Sequence, residues 1–152
     1  MLISREMVLD QNIGLNDALF GGDMMARMDK VAGITSALVS HNRVFVTVKV
    51  SELIFHSPVR AGDIIEFYAT IQHAGNTSVT VQIEVMVYNP VSNLRRDVTS
   101  GEFVMVAVDN NLHPEPVLWK EDMLKKAREE HEARIAKAAK APARPASKRR
   151  KP

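Results

Sequence analysis

Leu19-Phe20-Gly21-Gly22-Asp23-Met24-Met25-Ala26-Arg27-Met28-Asp29-Lys30-Val31-Ala32-Gly33 is the stretch on which the reading of this 152-residue chain turns. Met24, Met28, Val31 and Thr35 fall on one face of a 3.6-residue period, with Met25, Ala32 and Val39 alongside. That spacing predicts a helix over about 22–39, the only long helix expected in the first 119 residues. Two glycines, Gly21 and Gly22, stand at its start. The first amides of a helix lack partners inside it, so they suit an oxyanion or the carbonyl oxygen of a thioester. The same pair also suits a plain turn from loop into helix. Asp29 follows Gly22 by seven residues, on a stretch rich in Met and Ala. A carboxylate there is costly unless it is paired or used, so Asp29 is either a solvated acid beside Arg27 or Lys30, or the base or nucleophile of a hydrolysis. Seven residues span about 10 Å of helix, too far for Gly22 and Asp29 to act on one carbonyl within a chain. A second chain supplying one of the two groups removes that difficulty. Asp23, in the first turn, complements the helix dipole.

Outward from the helix, the pattern becomes β. Residues 4–9 read as a short strand, and Asp10, Asn12, Gly14, Asn16 and Asp17 carry turn chemistry. The Asn12 and Asn16 amides either orient a water or oxyanion or serve as loop caps. Val44, Val46, Val48 and Val50 alternate with Phe45, Thr47 and Lys49. Ser57-Pro58 turns the chain, Ala61-Gly62-Asp63 forms a tight loop, and Ile64 to Ile71 reads as a strand. Gly75-Asn76 is a hairpin turn into the cleanest alternation of the chain, Val79 to Val87. Asn89 to Arg96 reads as a loop, and Phe103 to Val108 as a last strand, apolar enough to be central. The fold class is α+β: one long helix wrapped by an antiparallel sheet of about five strands. A single helix covers one sheet face only, so the free strand edges and the other face invite oligomerisation.

Composition divides the chain. Residues 120–152 hold 12 Lys/Arg against 5 Asp/Glu, and residues 1–119 hold 8 against 13. The basic character therefore sits in the C-terminal end, which argues against nucleic acid as a partner of the core. Residues 1–118 read as one domain, 119–140 as a charged helix, and 141–152 as a disordered basic tail with at most weak contact to polyanions. In the helix, Glu121 and Lys125, and Glu130 and Arg134, are i,i+4 pairs in the favourable order. With no cysteine there is no disulfide, zinc thiolate or cysteine nucleophile. The five histidines show no ligand spacing, so no metal is expected. No apolar run spans a membrane and the start lacks signal-peptide features, so a cytoplasmic location is expected.

The run Asn16…Leu19-Phe20-Gly21-Gly22…Met28-Asp29…Ala32-Gly33 resembles the hotdog-fold acyl-CoA thioesterases of the acyl-CoA hydrolase branch. Phe55-His56-Ser57-Pro58-Val59-Arg60-Ala61-Gly62-Asp63 is similar to that branch's F-x-x-P-x-x-x-G-D turn. Gly75-Asn76-Thr77-Ser78 and Val106-Ala107-Val108-Asp109 look like its glycine turn and last core strand. The resemblance spans about residues 4–117. It implies a hotdog fold, hydrolysis of acyl-CoA to free acid and CoA, and no cofactor beyond the coenzyme A of the substrate. It also implies a homodimer whose sheets join, often assembled further into a hexamer as a trimer of dimers.

For the site, the resemblance makes Asp29 the catalytic carboxylate, as base or nucleophile, facing the Gly22 amide of the other chain. Asn16 becomes the loop amide, because Gly14 occupies the position where many members carry the catalytic Asn. Gly21, Arg60, Asn76, Thr77 and Ser78 become contacts to substrate and CoA. Many members have Lys or Arg directly before the proline, where this chain has Ser57, so phosphate contacts fall to Arg60. A hotdog 3-hydroxyacyl thioester dehydratase, with His56 as its histidine, and a non-catalytic acyl-CoA-binding regulator are the alternatives.

Overall fold

The chain is seen in a computed structural model that describes residues 1–139. In order come β1 (Leu2–Met7), a 3-10 turn (Asp10–Asn12), α1 (Gly21–Leu38), β2 (Phe45–Val50), β3 (Ile64–Ala74), β4 (Ser78–Asn89), β5 (Leu94–Ala107) and α2 (Glu121–Ala139). The five strands form one antiparallel sheet in the order β1-β3-β4-β5-β2. The basic tail expected at 141–152 lies outside the described residues.

Strict alternation on β4 sets the two faces of the sheet. Val79, Val81, Ile83, Val85 and Val87 are buried, and the residues between them are half-buried. β-branched side chains at period two suit a pleated surface packed on one side. With Ile65 and Phe67 of β3 and Phe103 and Met105 of β5 they form the core against which Met24, Met28, Val31 and Ala32 of α1 pack. Buried hydroxyls on the helix are satisfied locally: Thr35 donates to the Val31 carbonyl and Ser36 to that of Ala32. The expected α+β arrangement, a long helix wrapped by five strands, is what forms.

Two local readings are refined. The loop expected over 89–96 contracts to residues 90–93, with Asn93 in the left-handed region at φ 54°, and β5 starts at Leu94. The polar first half of β5 is a strand because its charged side chains find partners across the sheet: Arg95 reaches Glu66 on β3 and stacks on Tyr88 of β4, and Arg96 pairs with Asp63 just before β3. Second, β5 lies inside the sheet, but β4 is its middle strand. β2 is an edge strand with a register shift between Thr47 and Lys49, and Val48 is 58% exposed.

α2 lies on the face of β3 opposite α1. Leu124 and Ala127 are buried, His131 Nδ1 lies 3.0 Å from Thr70 Oγ1, and the Arg134 guanidinium stacks 4.9 Å from the Tyr68 ring centroid. The helix-internal ion pairs differ from those expected. Arg134 pairs with Glu84 of β4 instead of Glu130, and Lys125 with Glu129 instead of Glu121.

Covered on both faces, β3 carries a carboxylate, Glu66, whose side chain is 0% exposed. It accepts hydrogen bonds from Arg5 Nε (2.9 Å), Arg95 Nε (2.6 Å) and the Tyr68 hydroxyl (2.7 Å). Arg5 and Arg95 also stack on Tyr88, at 5.0 and 4.7 Å from its centroid. Burial pushes the Glu66 carboxyl up, but the hydrogen bonds from Arg95, Tyr68 and Arg5 outweigh it and hold the group below its ordinary value. A carboxylate so held contributes its full stability above the unfolded value of about 4.3 and loses it as pH falls through the folded value. Glu66→Gln is expected to lower the unfolding free energy by about 2–3 kcal/mol at pH 7, because a buried charge network loses its centre. Urea denaturation from pH 7 down to the acid limb checks this. The variant should show a shallower loss below about pH 4; identical midpoints for the two proteins at every pH contradict the role given to Glu66.

Candidate active site

α1 begins without a side-chain cap: Phe20 occupies the N-cap, and its ring accepts no hydrogen bond from the amides of the first turn. The first backbone hydrogen bond of the helix runs from Met24 N to Phe20 O, at 3.1 Å. The amides of Gly21, Gly22 and Asp23 therefore carry the positive end of the helix dipole toward solvent. A Cβ built on Gly22 meets nothing within 4 Å, so packing inside the chain does not require a glycine there. At Gly21 a Cβ would lie 3.4 Å from the Phe55 ring, an ordinary contact, so the 55–59 segment packs beside the helix start.

Gly22, Met25, Ala26 and Asp29 stand at i, i+3, i+4 and i+7, one stripe along α1. With Val50 and Phe103 they line a shallow apolar groove beside the sheet edge formed by β2. Met25 is 43% exposed in it. Half-buried Asp29 accepts a hydrogen bond from the Thr47 hydroxyl on β2, and Thr47 Oγ1 lies 3.3 Å from Met105 Sδ. Thr47 thus fixes the carboxylate to the strand it faces. Sequence reading missed it, because the strand's alternation says nothing of which helix residue it meets.

The loop before α1 is a small tight one. Ile13 bridges Leu19, Gly14 N donates to Ala18 O at 2.9 Å, and Asp17 takes φ 55° at the tip. Asn16 sits exposed on that tip. A Cβ on Gly14 would lie 2.9 Å from the Phe20 ring, so an aromatic edge fills the space a side chain at position 14 would need.

The turn at 55–63 is held from behind by Arg96 of β5. Its Nη1 donates to Ser57 Oγ and the Pro58 carbonyl, both at 2.8 Å, and its Nη2 to Asp63 Oδ2 at 2.8 Å. The cation absent before Pro58 in sequence is thus present beside it in space, on a residue read as loop. Exposed Arg60 donates its amide to Asp63 Oδ2 (2.9 Å), and its guanidinium reaches the Asp17 carbonyl at 3.4 Å. It therefore ties this turn to the loop of Asn16. The Asn76-Thr77-Ser78 turn is braced by Val117 N to Asn76 O (2.7 Å) and Ala107 N to Thr77 O (2.9 Å). It lies at the far end of β3 from Arg60. The 11 residues of β3 span about 35 Å, so one chain does not bring Arg60 and Asn76, Thr77 and Ser78 together. What one chain does assemble is Gly21, Gly22, Arg60, Arg96 and the Asn16 loop at the start of α1, and Asp29 with Thr47 at mid-helix.

Comparison with known proteins identifies the family. Residues 16–91 match the family model described as Thioesterase superfamily. The acyl-CoA thioester hydrolase YciA of Salmonella typhimurium is 34% identical over 119 residues, covering 76% of this chain and 89% of that protein. YciA of Escherichia coli is 36% identical over 111 residues, covering 71% and 83%. A hexameric broad-specificity acyl-coenzyme A thioesterase superposes with a TM-score of 0.75 at 29% identity, covering 85% of this chain and 89% of that one. The hexameric thioesterase of Yersinia pestis superposes at 0.71 and 33% identity, covering 77% and 94%. A family model matching half of the chain, and relatives above 30% identity along most of their length, place the chain in the thioesterase superfamily, in its acyl-CoA hydrolase branch.

Proposed function

We propose that this protein hydrolyses acyl-CoA thioesters to the free acid and CoA, at sites each built from two chains. One observation carries the reading. Gly22 and Asp29 lie on one stripe of α1 that faces an open groove: among the described residues no packing contact requires the glycine, and the carboxylate is held at the groove by the Thr47 hydroxyl. In an isologous pair formed along the α1 and β2 side, the two helices run antiparallel. The helix start of one chain then faces Asp29 of the other. The relatives' activity as acyl-CoA thioester hydrolases supports the chemistry, and the hexameric state of the similar structures supports a trimer of such dimers.

The thioester carbonyl oxygen sits at the Gly22 amide, where the helix start stabilises the charge that develops on it. Asp29 of the second chain, held by its Thr47, takes a proton from water as the water oxygen bonds to the carbonyl carbon. The tetrahedral oxyanion collapses, the C–S bond breaks, and the proton returns to the CoA sulfur. As nucleophile instead, the carboxylate bonds to the carbonyl carbon, CoA leaves, and water cleaves the resulting anhydride. No group beyond the coenzyme A of the substrate is called for. Asn16, at its loop tip, supplies the amide that Gly14 lacks. Arg60 of one chain and the Asn76, Thr77 and Ser78 turn contributed by the other bind the CoA portion.

Asp29→Ala is expected to lower CoA release at least ~100-fold while leaving the melting temperature within a few degrees, in line with loss of a positioned acid–base group. Release of CoA, followed with a thiol reagent, checks it. Near-wild-type turnover removes Asp29 from the mechanism, and tight acyl-CoA binding with no release by the wild type selects the regulator instead. Gly22→Ala is expected to melt at or above the wild-type temperature, since alanine favours a helix over glycine by about 0.5–1 kcal/mol. It should lose turnover, because the added methyl occupies space left for the carbonyl. A Gly22→Ala protein of full activity contradicts the placement of that oxygen.

A further inference from the structure

We infer that the recess between the start of α1 and the 55–59 segment receives the acyl chain, and that it selects uncharged acyl groups of about ten carbons or fewer. The inference rests on the hydrolysis reading above for the position of the carbonyl. Successive residues of a helix are about 100° apart, so Gly22 faces the groove shared with Asp29, while Gly21 and Met24 turn toward the sheet. A carbonyl at the Gly22 amide therefore has an apolar depression on either side of it. One is the shallow groove along Met25, Ala26 and Asp29. The other is a recess of about 320 Å³ beside Gly21, walled by Leu19, Phe55 and Pro58.

The two depressions suit different arms of the thioester. The floor of the recess is core: Met24 and Val98 are each 1% exposed, and Val59 is buried with them. An arm entering it ends there. The CoA arm carries two amides and ends in phosphates, which must reach water, so it cannot terminate on buried Met and Val side chains without leaving polar groups unpaired. The acyl chain can. Phe55 Cζ lies 3.4 Å from where a Gly21 Cβ would stand, so the helix start at Gly21 and the aromatic ring at 55 border the mouth. Among the described residues lining the recess, His56 is the only titratable one, and Ser57 Oγ is already bonded to the Asp97 carbonyl and Arg96. A carboxylate at the end of an acyl chain finds no ion pair at the floor. The volume equals about ten waters at ~30 Å³ each, which a chain of about ten carbons fills.

The test is a ladder of straight-chain acyl-CoA from acetyl to palmitoyl, with succinyl-CoA set against butyryl-CoA. It is run on the wild type, Phe55→Ala and Val98→Ile. Binding of the matching non-hydrolysable thioether analogues is measured by calorimetry in parallel. Wild-type kcat/KM and affinity should rise by up to about fourfold per methylene and fall beyond about ten carbons. Butyryl-CoA should exceed succinyl-CoA by at least about tenfold. Phe55→Ala should move the maximum to longer chains and Val98→Ile to shorter ones; Phe55 is half-exposed, so its removal leaves the core intact. A maximum that stays put in both variants, a flat ladder, or equal use of succinyl and butyryl overturns the inference while leaving hydrolysis standing. The expected length dependence in binding with no turnover overturns hydrolysis and leaves the recess in place. Absence of both binding and turnover overturns both.

Discussion

An α-helix rises about 1.5 Å per residue, and that separates the amide of Gly22 from the carboxylate of Asp29 by about 10 Å on the same face of α1. No side-chain rearrangement closes that gap within one rigid helix. Each group is nonetheless set up for work: the helix start is uncapped, and the carboxylate is anchored by Thr47 from the neighbouring strand. In the proposed dimer the distance becomes useful, because a second copy of the helix runs the opposite way alongside the first. The sheet leaves β2 as a bare edge beside the stripe, with Val48 and Met25 exposed where a second chain would lie.

The opposite face of the sheet is finished differently. There α2 covers β3, and Glu66 gathers Arg5, Arg95 and Tyr68 around itself. Over β3 that face is covered by charge pairing and aromatic stacking within the chain, while the α1 and β2 side leaves an apolar groove open. The asymmetry favours the helix side for pairing, and it keeps the first half of β5 in the sheet although its sequence is polar.

Residues whose burial follows a simple period were legible from sequence. The 3.6 spacing of Met24, Met28 and Val31 located α1, and the alternation from Val79 to Val87 located β4. Asp29 and Gly22 stood out because each is expensive or unusual in its local setting. What stayed hidden depends on contacts between distant segments. The first half of β5 looked like loop because Arg95 and Arg96 find their partners, Glu66 and Asp63, on β3 and just before it. Thr47 gave no signal because only the strand's position against α1 makes it a partner of Asp29. Arg60 and the Asn76 turn could be grouped by resemblance, yet the length of β3 separates them within a chain.

The claim that each site draws on two chains is tested most directly by complementation. Asp29→Ala and Gly22→Val proteins, each inactive alone, are unfolded together, refolded as a mixture and assayed for CoA release. In a mixed dimer one site carries both lesions and the other carries neither, so random pairing should restore about a quarter of wild-type activity. A mixture as inactive as its two parents would contradict the shared site and return Gly22 and Asp29 to separate duties within one chain.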